Sequence, residues 1–197
     1  MNYLAHAYLS FGQPDILVGN MISDFVKGKK QFDYPVMIRQ GIQLHRQIDH
    51  FTDQHPATRE AKIFFRPAVG LYAGAFVDVV YDHFLALDTA ELDAAGWQLF
   101  SAATYDQLEA RAALLPDRFA RMLPYMRQQD WLYNYRFRQG ISNSFAGLAR
   151  RASYLNGTEP AFAAFEKHYD ALGQLYHAFF PDVKKMARTE FDARLII

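Results

Sequence analysis

Residues 67–87 read PAVGLYAGAFVDVVYDHFLAL, and the reading of the fold starts there. The only acidic, basic or imidazole groups in this run are Asp78, Asp82 and His83; the rest is apolar, Gly or Tyr. A helix that is apolar all round is enclosed by other helices, so this stretch predicts a central helix. Pro67 suits its first turn. Val79-Val80 is its one β-branched doublet, and the surrounding period is helical.

Helical punctuation continues on both sides. Upstream, Asn2 caps a short helix to about residue 11, and Pro14 opens a segment to about residue 26. Lys27-Gly28-Lys29-Lys30 ends that segment with positive charge and a glycine. A long helix over 34–53 follows, and His55-Pro56 restarts a short one to about 66. Downstream, Asp88 or Thr89 caps a helix that stops before Pro116. Short helices cover 116–127 and 130–138, another covers 140–153, and Asn156-Gly157 is a turn. Thr158-Glu159-Pro160 starts a helix through about residue 180, and Pro181 opens a last short one. Alternating strand patterns are nearly absent, so the expectation is all-α: one domain over 1–197, a bundle of about eight to eleven helices.

Composition narrows the function. The chain has 197 residues, 51% hydrophobic and 21% charged, which excludes a disordered chain. Formal net charge is zero, so no global basic field serves nucleic acid or an anionic membrane. Cysteine is absent, which removes disulfides, zinc ribbons and thiolate nucleophiles. Residues 1–11 lack a basic n-region and a long apolar h-region, and no run of about 18 uninterrupted apolar residues occurs. A cytoplasmic protein with neither nucleic acid nor membrane as partner is expected. Aromatic content reaches 16%, with 17 Phe and 12 Tyr, enough for a thick core and a lined groove.

Ionisable groups on apolar faces mark the candidate site. On the 34–53 helix, with Ile38 at zero and about 100° per residue, Ile42 falls near 40°, His45 near 340° and Asp49 near 20°. His45 and Asp49 are therefore neighbours on the buried arc. A buried carboxylate needs a partner, either a core hydrogen bond or a metal. Asp78 and Asp82 repeat the spacing on the central helix, where two carboxylates repel unless a shared proton, an Arg (Arg39 or Arg46) or a cation neutralises them. His6 lies among Leu4, Tyr8 and Leu9, and Asp24 among apolar neighbours in Gly19-Asn20-Met21-Ile22-Ser23-Asp24-Phe25. The set His6, Asp24, His45, Asp49, Asp78, Asp82 and His83 has no thiolate, which suits Mn, Fe, Mg or a catalytic Zn. Such an ion acidifies water and polarises a phosphoryl oxygen. The chain has no Walker loop, G-x-G-x-x-G, H-E-x-x-H, G-x-S-x-G or paired Glu-x-x-His.

Long blocks of the chain resemble the acyl carrier protein phosphodiesterases. These are Met1-Asn2-Tyr3-Leu4-Ala5-His6, residues 19–28, Gly41-Ile42-Gln43-Leu44-His45-Arg46-Gln47-Ile48-Asp49, Phe51-Thr52-Asp53, residues 78–85 and His168-Tyr169-Asp170-Ala171-Leu172. The resemblance spans nearly the whole chain. It implies hydrolysis of the phosphodiester that joins 4'-phosphopantetheine to a serine of holo acyl carrier protein. It also implies a divalent metal, manganese first with magnesium or iron as alternatives, and kinship with the all-helical HD phosphohydrolases. Carried over, His6 or Asp24 supplies the early ligand, His45 the middle one and Asp82 the late one. No adjacent His-Asp dipeptide occurs: Asp82-His83 is reversed, and Asp49 follows His45 by four residues.

The expected ligands are thus His6, Asp24, His45 and Asp82. Asp49 or Asp78 orients or deprotonates the water, and His83 or His45 protonates the leaving oxygen. Arg46 and Lys27 pair with phosphate. An acidic carrier protein calls for a basic patch near the site, from Lys27, Lys29 and Lys30, Arg136 with Arg138, or Arg150 with Arg151. The alternating rings of Trp131, Tyr133, Tyr135 and Phe137 line a pantetheine channel or pack the core. Two other classes stay open: an HD-type nucleotide phosphohydrolase, and a non-catalytic helical module whose Asp78 and Asp82 are satisfied by Arg.

Overall fold

A computed structural model describes residues 1–152, 155 and 157–195. Its elements are α1 (Tyr3–Tyr8), α2 (Pro14–Ile22), α3 (Val36–Gln54), α4 (Pro56–Val69), α5 (Ala73–Leu87), α6 (Ala94–Glu109), α7 (Asp117–Gln128), α8 (Trp131–Asn134), α9 (Arg138–Ala149), α10 (Glu159–Lys167) and α11 (Tyr169–Leu195). Short 3-10 turns link several of them, and no strand occurs among the described residues. The all-α expectation holds.

The central helix is α5. It packs against α1, α4, α6, α9 and α11, and Phe76, Val80, Tyr81 and Leu85 are wholly enclosed. It starts later than the sequence suggests. Gly70 takes a positive φ of 55°, a conformation that favours glycine, and breaks the chain there. Pro67 consequently lies in the last turn of α4 rather than opening α5. Residues 56–87 are long and apolar enough to cross a membrane by length and composition. In the fold they form two helices of 14 and 15 residues packed on one another, each shorter than the about 20 residues a span needs.

Three other boundaries move for physical reasons. Helix α2 stops at Ile22, and Asp24 sits on a 3-10 turn, Ser23–Phe25. Helix α6 is capped by Asp93, whose carboxylate accepts from Gly96 N at 2.7 Å, and not by Asp88 or Thr89. The single helix expected over 158–180 breaks at His168, and α11 then runs straight through Pro181. Tyr176, Phe179 and Phe180 before that proline and Val183, Ala187 and Phe191 after it form one buried stripe. Burial of this stripe outweighs the hydrogen bond that Pro181 cannot make. Ser153 and Asn156, on which the expected helix end and turn rest, lie outside the described residues.

The crossing of α2 and α3 prepares the site. A Cβ on Gly19 would collide with the Ile38 carbonyl oxygen, and one on Gly41 with that of Ile16. The two backbones therefore touch without side chains between them, which brings the backbone of Asn20 against His45.

Candidate metal centre

Four side chains from α1, α3 and the turn after α2 converge. His6 Nε2 lies 3.1 Å from Asp49 Oδ1, and His45 Nε2 lies 3.0 Å from Asp49 Oδ2 and 3.3 Å from Asp24 Oδ1. The ligand atoms of His6, His45 and Asp49 all lie within 4.8 Å of one another. The two imidazoles stack, with centroids 3.8 Å apart and planes 16° from parallel.

Asn20 sets the orientation of both rings. Its Nδ2 donates to the His6 carbonyl at 2.8 Å and to Ser10 Oγ at 3.1 Å, so its Oδ1 is the acceptor that faces His6 Nδ1 at 2.8 Å. The Asn20 backbone carbonyl accepts from His45 Nδ1 at 2.7 Å. Both imidazoles thus spend their Nδ1–H on one residue and turn Nε2 towards the carboxylates. His45 Nε2 is buried and points between the two oxygens beside it, so no hydrogen bond satisfies it. Lone pairs facing carboxylate oxygens repel unless a proton or a cation sits where they meet. Two imidazole nitrogens with carboxylate oxygens and no sulfur fit a divalent ion of the manganese, magnesium, iron or catalytic zinc kind.

The proton affinities follow from the same geometry. Burial pushes His6 down, to about 4, with the charge of His45 adding to it. Burial also acts to lower His45, but the closeness of Asp24 and Asp49 outweighs it and lifts this ring to about 9. Contact with His45 lowers Asp24, against a smaller opposing effect of burial. For Asp49, burial acts upwards, yet His6, His45 and the Met1 amino group hold it well below the usual carboxylate range. At neutral pH the pair of rings therefore carries one positive charge, on His45.

A family model described as acyl carrier protein phosphodiesterase matches residues 1–183. The chain is 34% identical over 191 residues to the acyl carrier protein phosphodiesterase of Salmonella dublin, covering 95% of this chain and 97% of that one. It is 33% identical over 193 residues to the protein of the same name from Klebsiella pneumoniae, covering 96% and 99%. The chain belongs to the acyl carrier protein phosphodiesterase family. No solved structure matches it.

Three of the residues expected at the site stand elsewhere. Asp82 is not among the converging ligands. Its Oδ1 accepts from Asn2 N at 3.1 Å and its Oδ2 from Leu4 N at 2.7 Å, so it anchors the start of α1. Burial lifts its carboxyl to about 7, against the pull of the Met1 amino group and these N–H donors. His83 is committed at both nitrogens, Nδ1 to the Tyr135 carbonyl at 2.7 Å and Nε2 to the Tyr169 hydroxyl at 2.8 Å, and takes no part in the cluster. Arg46 donates to the Val26 carbonyl at 3.2 Å and to Gln31 Oε1 at 3.1 Å, which ties down the second 3-10 segment after α2, Gly28–Asp33.

Asp78 stands at the edge of the centre. It pairs with the Met1 amino group at 2.9 Å, and that group is also 3.9 Å from Asp49 Oδ1. Burial raises the Asp78 carboxyl, and the amino group opposes this. Neither Asp78 nor Asp82 is neutralised by Arg39 or Arg46; the amino group and the backbone of α1 do that work. Asp78 also opens onto a cavity of about 700 Å³ with Asp53, Lys62, Arg66 and Leu71 on its walls. Lys27 is exposed, and Arg138 pairs with Glu166 and covers the Tyr169 ring. In the aromatic run Tyr135 is core, while Phe137 is exposed and, with Tyr133, lies under Arg136.

Sequence reasoning missed Asn20, although a signal was present. It is a polar residue at 0% exposure on a helix whose neighbours Ile16, Leu17, Val18 and Ile22 are all buried.

Proposed function

We propose that this chain is a metal-dependent phosphodiesterase that removes 4'-phosphopantetheine from holo acyl carrier protein and leaves the apo carrier. Family membership and the names of its relatives support the substrate. The observation that carries the chemistry is the convergence of two Nδ1-anchored imidazoles on Asp49 and Asp24. His6, His45 and Asp49 would hold the ion, manganese first with magnesium or iron as alternatives, and Asp24 would close the set from the solvent side. When bound, the ion supplies Lewis-acid polarisation of a phosphoryl oxygen and makes water more acidic.

The chain's own groups divide the remaining work. Both oxygens of Asp49 face imidazoles, so Asp49 serves as ligand and not as base. Asp78, raised by burial and open to the cavity, is the carboxylate suited to accept the proton of the attacking water. Asn20 fixes the two ring orientations. A cytoplasmic location, with neither nucleic acid nor membrane as partner, goes with this reading.

Intact-mass spectrometry of holo carrier protein tests it. Incubation with the chain and manganese should remove the phosphopantetheine mass, and chelator should prevent this. A carrier unchanged under every condition overturns the substrate, and turnover of nucleotides in its place would favour the HD-type nucleotide reading.

A further inference from the structure

The cavity of about 700 Å³ at Asp78 joins the centre to the surface between the end of α3, α4 and the start of α5. Small-molecule sites enclose roughly 300–1,000 Å³, so a ligand fits it. Two of its wall residues lead to the ligand cluster. Asp53 stands one turn beyond Asp49 on α3. Asp78 shares the Met1 amino group with Asp49: that nitrogen lies 2.9 Å from Asp78 Oδ1 and 3.9 Å from Asp49 Oδ1. The other walls come from Lys62 and Arg66 on α4 and from Leu71, Ala73 and Ala75 around the turn into α5. Leu71 is fully exposed, which puts a mouth of the cavity at the surface.

The groups on these walls select the ligand. Lys62 Nζ donates to Asp53 Oδ1 at 2.6 Å, and the Met1 amino group answers Asp78. Gly74 leaves room for the Lys62 stem, because a Cβ there would stand 3.2 Å from Lys62 Cε. Both carboxylates on the wall are thus already paired, and a polyphosphate entering the cavity would meet the two of them. Arg66 contributes N–H donors, and Leu71, Ala73 and Ala75 contribute apolar surface. Such a lining suits a neutral chain that carries carbonyl acceptors and methyl groups. Beyond its phosphate, 4'-phosphopantetheine is a chain of that kind.

We infer that this cavity holds the pantetheine arm of the substrate while the phosphodiester lies at His6, His45 and Asp49. The name of the occupant rests on the proposed function; the cavity as a small-molecule site rests on its walls and its junction with the centre. The order of bond changes agrees with this division of the substrate. A bond forms from the water oxygen to phosphorus, the bond from phosphorus to the carrier serine breaks, and the serine oxygen takes up a proton. The pantetheine oxygen stays on phosphorus throughout. Attacking and leaving oxygens lie roughly in line. Asp78 meets the cluster beside Asp49 Oδ1, and Asp24 meets it at His45, beside Asp49 Oδ2. Water on the Asp78 side sends the serine out past Asp24, whose side chain is 75% exposed, and leaves the arm to run along the cavity.

The test has two arms. The first is NMR of wild type with isotope-labelled alanine and leucine methyl groups, titrated with 4'-phosphopantetheine and, separately, with inorganic phosphate, magnesium replacing paramagnetic manganese. The methyl signals of Leu71, Ala73 and Ala75 should shift with 4'-phosphopantetheine and stay in place with phosphate. No shift at these methyl groups, or the same shift with phosphate, overturns the inference. The second arm fills the cavity with Ala75→Phe or Gly74→Leu and measures hydrolysis of holo carrier protein with manganese. Each variant should lose about a hundredfold in kcat/KM, with manganese affinity and melting temperature at the wild-type values. A folded variant of either kind that is as active as wild type overturns the inference. If wild type leaves the carrier protein intact, the proposed function falls, and the methyl shifts still decide whether the cavity takes such a chain.

Discussion

His45 and Asp49 on α3 stand four residues apart on a core-facing surface, and so do Asp78 and Asp82 on α5. The fold treats the two pairs in opposite ways. On α5 every carboxylate meets a donor: Asp82 takes two backbone N–H groups and Asp78 takes the Met1 amino group. On α3 the partners are imidazole Nε2 atoms, which donate only when a ring takes up a further proton, because Asn20 has already claimed both Nδ1–H groups. Burial of charge alone therefore does not mark a site; the balance of donors and acceptors does. The pairs also cooperate, since the α5 pair fastens α1, and α1 presents His6 to the α3 pair.

Crossed alanine variants give the largest contrast. Asp49→Ala should lower manganese affinity at least about a hundredfold and abolish hydrolysis. Asp82→Ala should cost about 3 kcal/mol in urea unfolding, because it leaves two N–H groups at the start of α1 unanswered. The comparison breaks if the two variants fail in the same assay to the same degree.

Asn20→Ala sharpens it at the next level. The side-chain anchor of His6 disappears while the carbonyl that holds His45 remains, and manganese affinity should fall about ten- to a hundredfold. Imidazole signals by NMR should show His6 losing its fixed tautomer and His45 keeping its own.

The last contrast is a pH slope. Asp82 has its carboxyl lifted from 3.8 to about 7 in the folded chain, so between these values the folded state holds a proton that the unfolded chain has released. Stability should therefore fall as pH rises through this window, with a slope on the order of 1 kcal/mol per pH unit. Asp82→Asn, which carries no charge at any pH, should flatten the slope in unfolding curves taken from pH 4 to pH 8. A slope that survives this substitution assigns the effect to another group.

Much of this was legible in the sequence. The apolar run at 67–87 indicated the central helix, and the helical projection of α3 put His45 and Asp49 on one buried arc. His6 and Asp24 stood out because ionisable groups rarely sit among such neighbours. What sequence could not supply was the identity of donors distant along the chain. Asp82 is answered by residues 2 and 4, about 80 positions away, and no local pattern announces that. Helix ends were the weakest part. The stop at Gly70 depends on a positive φ, and the passage through Pro181 depends on a buried stripe that continues on both sides of it.

The most direct test of the centre is pulsed electron paramagnetic resonance on the chain loaded with one equivalent of manganese. Wild type should show couplings from imidazole nitrogen bound to the ion, and His6→Ala and His45→Ala should each lose one of them. Manganese that does not bind, or that binds with no nitrogen coupling, would contradict the account.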